Sequence, residues 1–309
     1  MEMDYKTKDT ATIGIIGGTG LDSLEGFDAE DKCVYTHYGN IDIKVGTLEG
    51  RRLVFVPRHG KDHSVPPHAV NYRGNISALK TERCDWVVAF SSVGSMDPSI
   101  HPGTIVIPRG WLLYNVHRPN TFFEQGAAVH IDPEPPFCRE LTEKISDIAT
   151  LEKYHLVSTG SYLCIQGPHF LTELESEIIN TTIQQTERKD EDNFYAKRRN
   201  PNVIGMSVYP EAILAREAEM CYAMIAMVTD YNKLPGKPHV SVAKVIETAN
   251  QNTEKAKVII QKIAAKRAAH TMCRCASALD DAVQSYHPEL MTDRFSMMLI
   301  ENARKRGKK

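Results

Sequence analysis

The chain has 309 residues, 42% of them hydrophobic and 25% charged, the proportions of an ordinary folded protein. A formal net charge of −2 gives no electrostatic case for nucleic acid or a membrane surface, and no apolar run is long enough to span a bilayer. The polar start, Met1 to Thr12, lacks the apolar core of a secretory signal, so a cytoplasmic protein is expected.

A first strand is predicted over Thr12–Ile16, running into Gly17–Gly18–Thr19–Gly20. Arg52–Val56 follows and ends in Pro57–Arg58–His59–Gly60; after the Val70–Asn71–Tyr72 loop, a helix is predicted over Asn75–Thr81. Strand Asp85–Phe90 ends in Ser91–Ser92–Val93–Gly94–Ser95, and strand Thr104–Ile107 precedes a helix over Pro136–Ala149. Tyr162–Ile165 ends in Gln166–Gly167–Pro168, and Val203–Ile204 in Gly205–Met206–Ser207. The helix over Pro210–Met220 opens with Pro210 and Glu211, both favourable in a first turn. Tyr222–Val228 ends in Thr229–Asp230–Tyr231, and the last helix is predicted over Glu254–His270. The alternation predicts an α/β fold, residues 1–309 forming a single domain with a twisted central β-sheet flanked by helices. Residues 187–200 are dense in both charge signs and read as an exposed charged insert. The basic run Arg304, Lys305, Arg306, Lys308, Lys309 reads as a solvated tail.

Seven cysteines are scattered along the chain: Cys33, Cys84, Cys138, Cys164, Cys221, Cys273 and Cys275. Their number is odd, no CxxC occurs, and several lie in apolar runs, which suits buried thiols in a reducing compartment. The Cys273–Arg274–Cys275 pair is too isolated in sequence to define a metal or redox site, and no HExxH spacing occurs, so no metal is expected.

Polar groups collect just after the strands, where open α/β sheets bind ligands. The Gly17–Gly20 loop can offer backbone N–H groups and the Thr19 hydroxyl to an anion, or be a plain turn. Ser23 stands where the last glycine of a GxGxxG fingerprint belongs, so support for a dinucleotide-binding dehydrogenase is weak. Arg58 and His59 are donors suited to phosphate, although an arginine here could equally serve a structural ion pair. Ser91 and Ser92 supply hydroxyls with no nucleophile elbow around them, which favours binding over acyl transfer. Asp230 closes a very apolar strand, where a carboxylate is costly unless paired or functional, and where burial would raise its pKa.

These segments together, Ile13-Gly14-Ile15-Ile16-Gly17-Gly18-Thr19-Gly20-Leu21, Arg58-His59-Gly60, Val70-Asn71-Tyr72, Gly167-Pro168-His169-Phe170, Gly205-Met206-Ser207 and Thr229-Asp230-Tyr231, resemble the methylthioadenosine phosphorylase and trimeric purine nucleoside phosphorylase family. The match in order and spacing covers residues 12 to 250. The resemblance implies the nucleoside phosphorylase fold and phosphorolysis of 5′-methylthioadenosine in purine and methionine salvage. It implies inorganic phosphate as co-substrate, no cofactor, and a homotrimer. By the same resemblance Thr19, Arg58, His59, Ser91 and Ser207 hold phosphate, and Ser92 touches phosphate or ribose. Met206 packs on the ribose, Phe170 lies beside the purine, and Asp230 meets the purine N7 and 6-amino group. His63 and His130 lie near the 5′ end, His130 coming from a neighbouring subunit, and Val242 lines the 5′-substituent pocket.

Asp230, Leu171 and Val242 stand where the 6-oxopurine branch of that family carries Asn, Glu and His, so they point to a 6-aminopurine with an apolar 5′ group. Asn232 departs from the family's usual second aspartate, and Leu171 from the serine of the methylthioadenosine branch. A phosphorylase for methylthioinosine or inosine is therefore the nearest alternative, with Asn232 as the donor to a 6-oxo group. A non-catalytic nucleotide-binding protein of the same fold is the alternative from another class.

Overall fold

The computed structural model describes residues 11–18, 21, 24–187, 201–237, 242–266 and 273–307, without the side chains of 183–187 and of Val242. Thr19, the bulk of the charged 187–200 segment and the end of the Glu254–His270 helix lie outside the described residues.

Four strands form the centre: β1 (Ile13–Gly17), β4 (Arg51–Pro57), β5 (Trp86–Ser95) and β12 (Cys221–Tyr231). β1 lies parallel between β4 and β5, and β12 runs parallel along the other side of β5. Strict alternation divides their side chains between two buried layers, as the two-residue period of a strand dictates. Ile13, Ile15, Leu53, Phe55, Val88, Phe90, Ala223 and Ile225 face one layer. Ile16, Val54, Val56, Val87, Ala89, Met224, Ala226 and Val228 face the other. Two apolar faces require two covers. The first layer is closed by α2 (Arg139–Leu151) and by Ala256, Ile259 and Ile263 of the helix Val242–Ala265. The second is closed by α1 (Tyr72–Thr81), by Leu214 and Ala215 of the helix Val208–Glu217, and by Leu299 and Ile300 of the helix Arg294–Arg306. With α3 (Glu173–Glu187) between α2 and Val208–Glu217, the last three helices are α4, α5 and α6 in chain order.

Around this centre the sheet reaches 11 strands among the described residues. The hairpin β2 (Asp28–Thr36) and β3 (Gly39–Leu48) extends it beyond β4. β10 (Ser161–Ile165) and β11 (Pro201–Gly205) extend it beyond β5, together with β7 (Gly110–Tyr114). β6 (Ile105–Val106) and β9 (Leu156–Val157) continue from β12. A separate two-stranded ribbon joins β8 (Ala127–Val129) to β13 (Val283–Tyr286).

The α/β architecture and central strands agree with expectation, but several bounds change. α5 begins at Val242 rather than Glu254, because the β-branched start of this helix does not advertise a helical stripe. α4 bends at Tyr209, whose φ of −118° and ψ of 134° are extended, so the regular helix begins only after it. The basic run near the C-terminus is a correction: Arg304 to Arg306 are helical, and Arg306 pairs with Asp280 at 2.7 Å and with Glu219.

Candidate active site

β5 carries the site because its partners change along its length. Trp86–Ala89 is held by β1 on one side and β12 on the other, whereas Gly94 and Ser95 pair antiparallel with Ile204 and Val203 of β11. An antiparallel neighbour travels backward along its partner, so the continuation of β11 returns from Gly94 toward Ser91. Ser207 accordingly meets Ser91, its hydroxyl donating to the Ser91 oxygen at 2.9 Å. The Tyr162 hydroxyl from β10 completes the group, 3.2 Å from Ser91 Oγ and 3.5 Å from Ser207 Oγ. All three residues are buried. Gly205 makes this possible: a Cβ there would sit 2.0 Å from the Tyr162 hydroxyl.

Arg58 directly follows the end of β4. Its Nε and Nη2 donate to the two carboxylate oxygens of Glu211, each at 2.8 Å, and Nη1 donates to the Phe90 carbonyl at 2.6 Å. Both side chains are almost wholly buried, and the Tyr222 hydroxyl donates to Glu211 at 2.8 Å. Burial alone would lower the Arg58 pKa, but the Glu211 carboxylate more than restores it, so the guanidinium stays charged. The arginine thus holds a structural ion pair, while two of its five N–H groups remain beyond these three bonds. Glu211, expected only as a first-turn residue, is instead a fully buried counter-ion.

His59 is half-buried beside Arg58. Its Nδ1 lies 2.9 Å from the Val65 carbonyl, an oxygen that only accepts, so Nδ1 carries the proton and Nε2 the lone pair. Burial, followed by the adjacent Arg58 charge, lowers its pKa to about 4, which leaves the ring neutral at pH 7. The exposed His63 ring lies 4.5 Å from it, centroid to centroid.

On the other flank of β5, a register shift in β12 between Val228 and Asp230 sets Asp230 beside Gly94. The Thr229 hydroxyl donates to Asp230 Oδ1 at 2.8 Å, and the position of a Cβ on Gly94 would be 3.2 Å from Asp230 Oδ2. Burial raises the Asp230 pKa, and the Thr229 hydrogen bond opposes this only in part. Asn232 is buried on the same side of Gly94, and its Nδ2 finds no acceptor among the described residues.

Met206 packs with Met96, Leu163, Ile165, Leu171 and Ile204 in a third apolar cluster next to the serines. Gly167, at φ +66°, is required there, since a Cβ would meet the Met206 sulfur at 2.4 Å. Phe170 is 50% exposed, and Ser92 and His130 are exposed as well. His130 is tied by its backbone N–H to the Ala282 carbonyl at 2.9 Å. The structure therefore joins Ser91 with Ser207 directly and ties Arg58 to the Phe90 carbonyl that precedes Ser91 in the chain; it also brings together Asp230 and Asn232, His59 and His63, and Met206 and Leu171. Val242 opens α5, and Thr19 is outside the described residues.

Sequence reading missed Tyr162, Glu211 and Tyr222. A tyrosine opening an apolar run, and a glutamate inside one, carry the same signal as Asp230: a polar group that burial obliges to find a partner. Cysteines that are scattered along the sequence do not all stay apart in space. Cys138, Cys221, Cys273 and Cys275 converge, their four Sγ atoms all within 4.8 Å of one another. Spacing could not reveal this, because three separate chain segments supply them.

A mixed sheet covered on both faces, with hydroxyls, a paired arginine and a half-buried carboxyl at its strand ends, is the frame of a class that brings an anion and a base to one crevice. The chain belongs to the Phosphorylase superfamily, whose sequence profile matches residues 12–265. It is similar to the S-methyl-5′-thioadenosine phosphorylase of Nitrosopumilus maritimus, 38% identical over 273 residues, 87% of this chain and 97% of that relative. It is 33% identical over 287 residues to a probable S-methyl-5′-thioinosine phosphorylase of Methanothermobacter thermautotrophicus, covering 92% of this chain and 94% of the relative. A crystal structure of a methylthioadenosine phosphorylase sourced from an antarctic soil metagenomic library matches with a TM-score of 0.77 at 29% identity, covering 96% of this chain and 99% of that one.

Proposed function

We propose that the chain splits 5′-methylthioadenosine with inorganic phosphate, giving adenine and 5-methylthioribose 1-phosphate, a step of purine and methionine salvage. The observation that carries the chemistry is Asp230: a half-buried carboxyl near the end of β12, set beside Gly94 of β5, whose pKa burial raises. A phosphate oxygen attacks the anomeric carbon, the bond from that carbon to the purine N9 breaks, and the base leaves with the electron pair. Asp230 delivers its proton to N7, relieving the charge that gathers there. Thr19, Arg58, His59, Ser91, Ser92 and Ser207 hold the phosphate beneath the ribose, so the nucleophile is already in place.

Glu211 cancels the full charge of Arg58, so the anion is held by N–H and hydroxyl donors more than by net positive charge. The neutral His59 suits this arrangement, because its Nε2 lone pair can accept from a protonated phosphate oxygen. Met206 and Phe170 flank the nucleoside, with Leu171 and Val242 shaping its apolar surroundings. Phosphate is a co-substrate and the reaction uses no cofactor. The same reading carries a cytoplasmic homotrimer in which His63 and a neighbouring subunit's His130 meet the 5′ end. In keeping with this, His63 and His130 are exposed, and no helix of the described residues is long and apolar enough to cross a membrane.

A second reading rests on Asn232. Its buried amide nitrogen, without an acceptor among the described residues, is a donor suited to a 6-oxopurine, which would make methylthioinosine the better substrate. Base release followed by chromatography, with and without phosphate, from methylthioadenosine, adenosine, methylthioinosine and inosine separates the readings. Adenine released fastest from methylthioadenosine, and only with phosphate, is the expected result. Faster release of hypoxanthine transfers the assignment to the 6-oxo reading, and no phosphate-dependent release from any of the four removes both. Asp230→Ala is expected to slow turnover on the order of 10²–10⁴-fold, and a loss under about tenfold would remove Asp230 from the acid role.

A further inference from the structure

Cys138, Cys221, Cys273 and Cys275 have no part in the proposed reaction. Cys221 begins β12 and Asp230 stands near its far end, a separation of about 30 Å at strand rise. Each sulfur is delivered by a fixed piece of backbone. Cys138 caps the N-terminus of α2, and its N–H donates to the Tyr222 carbonyl at 2.8 Å. The Cys221 N–H donates to the Asp85 carbonyl at 3.0 Å. Cys273 and Cys275 flank Arg274 at the entry to a 3-10 turn, Arg274–Ser277, so one tight segment supplies two ligands.

The four Sγ atoms lie within 4.8 Å of one another, and the Cys221–Cys273 pair is 3.2 Å apart. A tetrahedral ion bound by four thiolates at about 2.3 Å sets its sulfurs about 3.8 Å apart, between those two distances. Four mutually close sulfurs are what a soft tetrahedral cation requires, whereas a disulfide needs only two. Cys138, Cys221 and Cys275 are buried against the apolar layer beneath α2 and α5, and Cys273 is half-buried, leaving a side of approach. Arg216 lines the same small cleft as Cys138 and Cys275, a cation beside what would be an anionic centre. The N-terminal end of α2 favours the thiolate at Cys138.

We propose that these four cysteines form a structural site for one divalent cation of the zinc type, each thiol giving up its proton to solvent on binding. The ion fastens residues 273–307 to the first residue of β12 and the N-terminus of α2. That segment carries β13, which pairs with β8, and Ala282, which holds the His130 backbone. The site therefore anchors the ribbon that presents His130.

The test is metal analysis of the full chain purified under reducing conditions, alongside thiol titration with an organomercurial. The expected result is about one zinc per chain, released as four thiols are blocked. Cys275→Ser is expected to retain less than about one-tenth of the metal, while Cys33→Ser, altered at an exposed cysteine outside the cluster, keeps all of it. Should Cys275→Ser fail to fold, chelator-stripped wild-type protein titrated with Co²⁺ gives an independent readout. Tetrahedral cobalt thiolate absorption saturating at one equivalent supports the site. Protein that holds no metal and develops no such absorption overturns it, as does a mass deficit of one hydrogen pair per bond marking disulfides within the cluster.

Discussion

In the half of the site proposed to hold phosphate, Arg58, Ser91, Tyr162, Ser207 and Glu211 are buried, Arg58 bonded to Glu211, and Ser91 to Tyr162 and Ser207. In the half proposed to hold the nucleoside, Phe170 is 50% exposed, His63 is exposed, and the Asn232 amide nitrogen lacks an acceptor among the described residues. The first half is held by hydrogen bonds among its own side chains. The second presents groups whose contacts are left to the substrate. The contrast follows from chemistry: phosphate is the same in every turnover, whereas base and 5′ substituent distinguish one nucleoside from another. Substitutions in the first half should therefore cost stability as well as activity, and substitutions in the second mainly activity.

The largest effect is expected at Glu211. Glu211→Ala leaves the Arg58 charge buried without its partner and should destabilise the fold by about 3–5 kcal/mol, read from denaturant midpoints. An Arg58→Met, Glu211→Leu double variant should recover much of that loss without recovering activity; failure to recover would mean the pair does more than neutralise. Gly205→Ala comes next. Its methyl group meets the Tyr162 hydroxyl at 2.0 Å and should cost about 3 kcal/mol, the upper end for overpacking, and a thermal melt unchanged from wild type would contradict the packing described.

His59 supplies a smaller, pH-dependent term. Its folded pKa of about 4 lies below the ordinary value of 6.5, so the unfolded chain takes up the proton first as the solution is acidified. Its contribution is intact above pH 6.5 and is lost as pH falls toward 4, at most about 3 kcal/mol in all. His59→Gln should flatten stability against pH over that window. The smallest effect on stability is expected at Phe170→Ala. Melting should move by no more than about 0.5 kcal/mol, while KM for the nucleoside rises and KM for phosphate does not. A rise in the phosphate KM instead would dissolve the division between the two halves.

Local sequence pattern was enough to find the central strands, because alternation over a doubly covered sheet is a local property. It also singled out Arg58, Ser91, Ser207 and Asp230 as candidates, since each directly follows or ends an apolar strand where a polar residue stands out. The charged hairpin β2–β3 was not legible, because its exposed faces break the apolar run that marks a strand.

The sequence alone determined which polar residues lie at strand ends, and with them the class of chemistry available. Only the tertiary structure decided their partners. The antiparallel return of β11 along β5 brings Ser207 to Ser91, and past the bend at Tyr209 in α4 Glu211 meets Arg58. Four cysteines separated by up to 137 positions meet at one point for the same reason. Burial makes every polar side chain answer to its neighbours in space, and those neighbours are set by topology rather than by distance along the chain.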